Sequence, residues 1–208
     1  ILAVLLLRRE RFSQLLPGRP DSALGGWQGL RNLAIISAPA LALAFFFRHA
    51  IKEKLFAPLP IALAFAVGGV AILFLDKDKK QARGLGQLNT RDALLIGLAQ
   101  CFALWPGMSR SACTILGALA LGYDREAATE LSFLAAVPIL LAATGYEGLK
   151  NAAAFAQQPW PLLVGWVAAM LSAMLAIQGF LALLKRVGLK PFGWYRLAIA
   201  PLVYLWFR

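Results

Sequence analysis

Ser109, Arg110, Ser111 and Thr114 fall within the stretch LWPGMSRSACT, Leu104 to Thr114, in one of the most apolar regions of the chain. An arginine set between two serines, just past a Pro-Gly break, has the composition of an anion site. Its guanidinium is a planar fork that matches phosphate geometry, and neighbouring hydroxyls add further hydrogen bonds. Pro106-Gly107 stops a helix, because Pro removes a donor and Gly admits unusual backbone angles. Ser109 or Ser111 can cap the helix that restarts. The start of that helix presents free N–H groups and a partial positive charge, both suited to an oxyanion. Thr114 follows Arg110 by four residues, one helical turn, so it can face the same pocket.

The elements around this loop are those of a membrane protein. Of the 208 residues, 60% are hydrophobic and only 15% charged, with a mean hydropathy of +0.68. Soluble domains carry roughly 45–50% apolar and about 25% charged residues. The apolar runs do not alternate, which excludes a β-barrel and leaves a helical bundle. The net charge of +11 sits in the connectors between those runs. There it orients a membrane protein, and no basic, aromatic-interleaved patch points to nucleic acid. Cys101 and Cys113 lie in apolar segments without zinc or disulfide spacing and read as small buried hydrophobes. In such a setting Arg110 costs at least about 2.5–3.5 kcal/mol to insert, which argues for function. The structural alternative is a buried ion pair, with the hydroxyls bonded only to backbone carbonyls.

Apolar stretches run over residues 1–7, 33–47, 59–75, 93–105, 111–122, 127–145, 160–184 and 194–207. The first is far shorter than the roughly 20 residues of a membrane span, and no methionine opens it. A signal peptide would place its basic residues first. Residues 1–7 are therefore expected to be the tail of a longer helix, and the chain a fragment. Gly68-Gly69 and the alanines at 62, 64 and 66 suit close helix packing in lipid. Trp160, Trp166, Trp194, Tyr195, Tyr204 and Trp206 sit near segment ends, as interfacial aromatics do.

Lysines and arginines in the connectors set the orientation. Residues 8–31 hold Arg8, Arg9, Arg11, Arg19 and Arg31. Residues 76–91 hold Lys77, Lys79, Lys80, Arg83 and Arg91, and residues 185–196 hold Lys185, Arg186, Lys190 and Arg196. These three connectors are assigned to the cytoplasm. The connectors at 48–58, with Arg48, Lys52 and Lys54, and at 146–159, with Lys150, are assigned outside. Segments 33–47 and 59–75 lead out and back, as do 127–145 and 160–184. Residues 93–122 must then begin and end on one side. Each of their halves is too short to span. The pattern predicts a re-entrant helix–loop–helix, whose irregular loop is tolerated at depth only when buried in protein or lining a watery cavity.

Other chemistry-bearing residues are weaker candidates. His49 follows Arg48 at a helix end and reads as interfacial. Glu126 and Glu130 read as a solvated first helical turn favoured by the dipole, and Glu147 as an exterior loop residue. Gln100, one turn before the loop, either lines the cavity or packs. No paired-carboxylate set, His-rich site or nucleotide loop is visible.

The region AQCFALWPGMSRSACTILGALALGYDREAATELSFLAAVPIL closely resembles the second signature region of the undecaprenyl-diphosphate phosphatase family, the bacitracin-resistance type. That family shows a Pro-Gly-x-Ser-Arg-Ser-Gly-x-Thr loop, an Arg-Glu-Ala-Ala stretch, and a Phe-Ser-Phe-Leu helix ending in Pro. Weaker agreement in ILAVLLLRRERF, IISAPALALAFFFRHAIKEKLF and GGVAILFLDK extends it over essentially all 208 residues. The resemblance implies an all-α polytopic membrane protein, a single domain over 1–208 built as an inverted repeat, with the re-entrant hairpin at about 93–122. It implies hydrolysis of undecaprenyl diphosphate to the monophosphate, recycling a lipid carrier of cell-wall synthesis in the bacterial cytoplasmic membrane. It also implies a divalent cation, magnesium or calcium, a cavity facing the outer side, and is compatible with a homodimer. Ser109, Arg110 and Thr114 match the catalytic loop positions, and Gly107, Ser109, Arg110 and Ser111 are the expected substrate-binding residues. The family's other half-site, a Glu-x-x-x-Glu motif plus a Ser-Ser-Thr-Gly-His stretch that precedes the segment matched by ILAVLLL and would bear the metal ligands and the presumed nucleophile, is absent here. The chain alone is therefore expected to be inactive. Ala112-Cys113 replaces the family's Gly and small residue, and Glu130 stands where a basic or neutral residue is common.

Two rival readings remain. Broken helices meeting near the midplane also typify secondary transporters, in which Arg110 would bind an anion without hydrolysis. A Glu-x-x-x-Glu pair followed by Ser and His upstream would favour the hydrolase. A non-catalytic scaffold conflicts with the cost of burying Arg110.

Overall fold

Large apolar side chains dominate the outside of this bundle, and its inside is an apolar core in which several polar side chains are also buried. In the computed structural model, which describes residues 1–14, 25–76, 82–152, 157 and 159–206, Phe45, Phe46, Phe74, Trp160, Leu175 and Trp206 are well exposed. Asn32, Ser37, Asp76, Gln100, Thr114, Thr129 and Ser132 are buried. A soluble protein would not cover its outside with so many large apolar side chains. Side chains of this type are stable outside only against lipid, and the chain is a multi-pass, all-helical membrane protein.

The helices are α1 (Leu2–Leu7), α2 (Arg9–Gln14), α3 (Gly26–Leu55), α4 (Pro58–Leu75), α5 (Thr90–Cys101), α6 (Arg110–Ala120), α7 (Arg125–Lys150), α8 (Pro159–Val187) and α9 (Lys190–Trp206). Four of them, α3, α4, α7 and α8, are long and apolar enough to cross a membrane. Among the described residues there is no strand, only an isolated parallel bridge between Arg83 and Tyr123. Pro58 begins α4 at a position where a missing N–H costs nothing, and Asp124 caps α7 by accepting from the Ala127 amide at 2.6 Å.

Contacts gather several helix ends at one level. Asp76, just past α4, accepts from Arg125 Nε at 2.6 Å and from the Leu189 amide at 2.7 Å. It thus ties the end of α4 to the starts of α7 and α9. Arg31 near the start of α3 donates to Thr90 at the start of α5, at 2.8 Å. The same end carries Arg83, Asp92 and Tyr123. So α3, α5, α7 and α9 leave this basic end, and α4, α6 and α8 return to it. That alternation is the one expected from the charged connectors; Arg19, Lys77, Lys79 and Lys80 lie outside the described residues.

Packing is closest between α4 and α9, which run antiparallel. A Cβ on Gly69 would come within 2.9 Å of the Gly193 carbonyl. The expected small-residue packing at 68–69 is thus realised against α9. The helix α8 buries only Leu184, leaving most of its faces to lipid.

Three expectations need correction. Arg196 is not a connector charge: it lies within α9, 7% exposed, against α4. Glu130 is not solvated but 4% exposed, while Glu126 one turn earlier is exposed. The reason is depth, since α7 sinks into the bundle between those two turns. Glu147 belongs to the last turns of α7 rather than to a loop, because helical hydrogen bonding continues to Asn151, whose amide donates to the Glu147 carbonyl at 3.0 Å.

Candidate active site in the re-entrant loop

The hairpin starts and ends at the same level. Asn89 caps α5 by accepting from the Asp92 amide at 2.8 Å. Asp92 then accepts from Tyr123 Oη at 2.7 Å and from Arg83 Nη2 at 2.6 Å, joining the entry of α5 to the exit of α6. Further in, Thr114 meets Gln100, and a Cβ on Gly117 would strike that of Ala99 at 2.7 Å. These pairs keep a constant antiparallel register. A 12-residue α5 rises roughly 18 Å, against about 30 Å of hydrocarbon, so it is too short to span. The short turn Phe102–Leu104 extends α5 toward the loop.

The loop itself is a sharp turn followed by a capped helix. The Met108 amide donates to the Trp105 carbonyl at 3.0 Å across Pro106-Gly107, and Gly107 has φ +96. Pro then Gly at positive φ is the composition of a type II turn. Space also demands glycine there, since a Cβ would come within 2.9 Å of the Ile61 carbonyl. Ser109 follows at φ +70, the one non-glycine residue at positive φ among the described residues. Such a conformation costs on the order of 1–3 kcal/mol and persists only when neighbouring structure imposes it. The imposition is visible: Ser109 Oγ accepts from the Ala112 amide at 3.4 Å and its carbonyl from the Cys113 amide at 3.0 Å. Of the two expected caps, Ser109 is the one used, and it stays exposed.

Arg110 is half-buried. Its Nη1 donates to the Ser132 carbonyl at 3.2 Å and its Nη2 to Ser111 Oγ at 3.3 Å. It has no carboxylate partner among the described residues, so the ion-pair alternative finds no support there. Ser111 lines two cavities. One of about 170 Å³ also holds Ser109, Ala112 and Arg196; the other, about 220 Å³, holds Ser132, Thr129 and Phe133. The Ser132 hydroxyl is buried there without a partner among the described residues. Larger cavities of about 550 and 560 Å³ lie at the basic end, beside Arg8 and Lys185, and against α3 beside Phe47. Neither contains the loop's hydroxyls, and chemistry follows the donors rather than the volume.

Thr114 and Gln100 do not face these cavities. Thr114 is 0% exposed, its hydroxyl 3.0 Å from Gln100 Oε1 and 3.0 Å from the Arg110 carbonyl. Gln100 Nε2 donates to the Ile36 carbonyl at 3.2 Å. The pair braces the two half-helices against each other and against α3. Two residues missed from the sequence stand at the loop. Ser132 is hidden in an ordinary apolar helix, and Arg196 was masked by the basic cluster that precedes it.

Ser109 and Ser111 line one cavity, and Arg110 donates to Ser111 beside it; a guanidinium and hydroxyls at a helix start are the donor types that suit an oxyanion. His49 is exposed on the far half of α3, among Lys52 and Lys54. Among the described residues no three His, Cys, Asp or Glu side chains come together in a way that could hold a metal ion. The implied cation thus has no set of three such ligands among the described residues.

Over residues 1–202 the chain matches the family described as bacitracin resistance protein BacA. It is 44% identical over 210 residues to an undecaprenyl-diphosphatase of Maridesulfovibrio salexigens, covering 99% of this chain and 80% of that relative. With an undecaprenyl-diphosphatase of Oleidesulfovibrio alaskensis the identity is 46% over 211 residues, 99% of this chain and 79% of the relative. An undecaprenyl-diphosphatase 2 of Rhodospirillum rubrum is 42% identical over 206 residues, 98% of this chain and 75% of the relative.

Proposed function

Because the chain belongs to the bacitracin resistance protein BacA family, we propose that it hydrolyses undecaprenyl diphosphate to undecaprenyl phosphate and phosphate. This recycles the lipid carrier for cell-wall synthesis and confers bacitracin resistance. The observation that carries the mechanistic reading is Arg110, without a carboxylate partner among the described residues, beside two hydroxyls at a helix start. Phosphoryl transfer needs mostly positioning and charge stabilisation. Arg110 grips the diphosphate, and Ser109, Ser111 and the α6 amides take its remaining oxygens. Gly107 lets the turn bring them together, and Thr114 contributes through the brace to Gln100. In the net reaction a water oxygen bonds to the terminal phosphorus as the bond from that phosphorus to the bridging oxygen breaks. The charge on the departing lipid phosphate is held by these donors. The isoprenoid tail stays in lipid.

The basic end faces the cytoplasm in this proposal, by the excess of lysine and arginine there, in the bacterial cytoplasmic membrane. The cavity opens to the outer side. A divalent cation, magnesium or calcium, belongs to the proposal and is tested by chelation and re-addition. A homodimer is tested by crosslinking in membranes. The central experiment grafts this chain into the Maridesulfovibrio salexigens relative in place of the stretch it matches, and measures phosphate release from undecaprenyl diphosphate. Release that Arg110→Ala abolishes supports the reading. Activity retained by Arg110→Ala reduces that arginine to a structural role. Lipid binding without release would turn the assignment to transport.

A further inference from the structure

We propose that Arg196 is a positioning residue for this reaction, holding the re-entrant turn in place from behind; the inference rests on the hydrolase reading above. Its Nη2 donates to the Gly107 carbonyl at 2.7 Å and to the Ala64 carbonyl at 3.1 Å. One guanidinium therefore bridges the loop to α4. Its Cζ stands 5.0 Å over the Phe65 ring, which fixes its plane. It has no carboxylate partner among the described residues, and its Nε is buried without any partner there. Gly68 makes room for it: a Cβ at that position would fall on the guanidinium, 2.9 Å from Cζ. A glycine in α4, an arginine in α9 and the one turn that Pro106-Gly107 creates are thus mutually required.

The consequence for the site is geometric. Gly107 precedes Ser109 by two residues, and Ser109 holds φ +70. A backbone in that region relaxes unless its neighbours are pinned. Pinning the Gly107 carbonyl fixes the direction in which Ser109 and the first amides of α6 point. Arg196 also places a cation on the cavity that contains Ser109 and Ser111, biasing it toward an anionic guest. A neutral side chain of the same length would keep the packing and lose both effects.

The test uses two perturbations of the grafted full-length protein. Arg196→Met removes the donors while filling the volume; Gly68→Ala keeps the arginine and displaces its head. Both are expected to lower kcat about 100-fold, the effect of roughly 1 Å of misplacement, with KM changed less than about threefold. Arg196→Lys, which keeps the charge and can reach one carbonyl, is expected to recover part of kcat. Hydrogen exchange at residues 108–112, measured by mass spectrometry without substrate, is expected to rise in Arg196→Met and Gly68→Ala. Unchanged exchange there would overturn the proposal, whatever happens to activity. A rise in KM of tenfold or more at constant kcat would also overturn it, making Arg196 a direct substrate ligand. If the unaltered graft releases no phosphate, the hydrolase reading fails, and the exchange measurement still decides whether Arg196 holds the loop.

Discussion

Replacing Thr114 by valine separates bracing from anion contact. The two side chains have nearly the same shape, so the change removes one hydroxyl and little else. That hydroxyl is 0% exposed and lies 3.0 Å from Gln100 Oε1. With its Nε2 spent on the Ile36 carbonyl, the Gln100 amide has its oxygen 3.0 Å from the Thr114 hydroxyl, whose single proton it shares with the Arg110 carbonyl at the same distance. Thr114→Val therefore strands a buried acceptor, a penalty of about 1–3 kcal/mol. Gln100→Leu removes that acceptor and with it the need for the Thr114 donor. The double variant should then cost less than the sum of the singles, with a coupling on the order of 0.5–3 kcal/mol. The assay is unfolding of the four proteins in mixed micelles against increasing denaturing detergent, together with binding of inorganic diphosphate. We expect Thr114→Val to lose stability, to couple to Gln100, and to bind diphosphate within a few-fold of the parent. Unchanged stability, no coupling, and a tenfold or greater loss of diphosphate affinity would refute the bracing role and return Thr114 to the anion.

The junction at Asp76 should be equally sensitive, because its carboxylate is wholly buried and takes both Arg125 Nε and the Leu189 amide. Asp76→Ala is expected to destabilise by about 1–3 kcal/mol, because it leaves the buried Leu189 amide without its acceptor, read in the same unfolding assay. Burial, and then the hydrogen bond to Asp92, push the Tyr123 phenol above its ordinary range. Its neutral form is thus favoured in the folded chain. The stability it contributes is complete below about pH 10 and is lost as pH rises through the folded value. Unfolding measured from about pH 9 upward should show that loss in the parent and not in Tyr123→Phe.

Parity was the most legible feature of the sequence. Two short apolar runs flanked by connectors of one sign leave a hairpin as the arrangement that satisfies span length and charge together, and the shared contacts of Asp92 and Tyr123 realise it. The loop's turn was legible for a similar reason, since Pro-Gly admits few backbone solutions. Arg196 was not, because an arginine following Lys185, Arg186 and Lys190 reads as one more interfacial charge. Its burial depends on α4 offering a glycine at position 68, a pairing across the bundle that periodicity within one segment does not encode. Glu130 was misread for a related reason: the depth at which a helix enters the bundle is set by its neighbours. Thr114 was placed on the right face of α6 and given the wrong partner, because Gln100 belongs to the other half of the hairpin.

The bridge between Arg196 and Gly107 also orders events in time. The arginine is made 89 residues after the turn it holds. At about 5–20 residues per second, the loop waits roughly 5–20 s inside the membrane before its pin arrives. During that interval the hairpin can be threaded and its base closed by Asp92, while its tip is held only by its own turn and cap. A ribosome that stalls before the last helix would leave a protein whose loop is fully inserted and correctly spelled, and which still cannot present its hydroxyls.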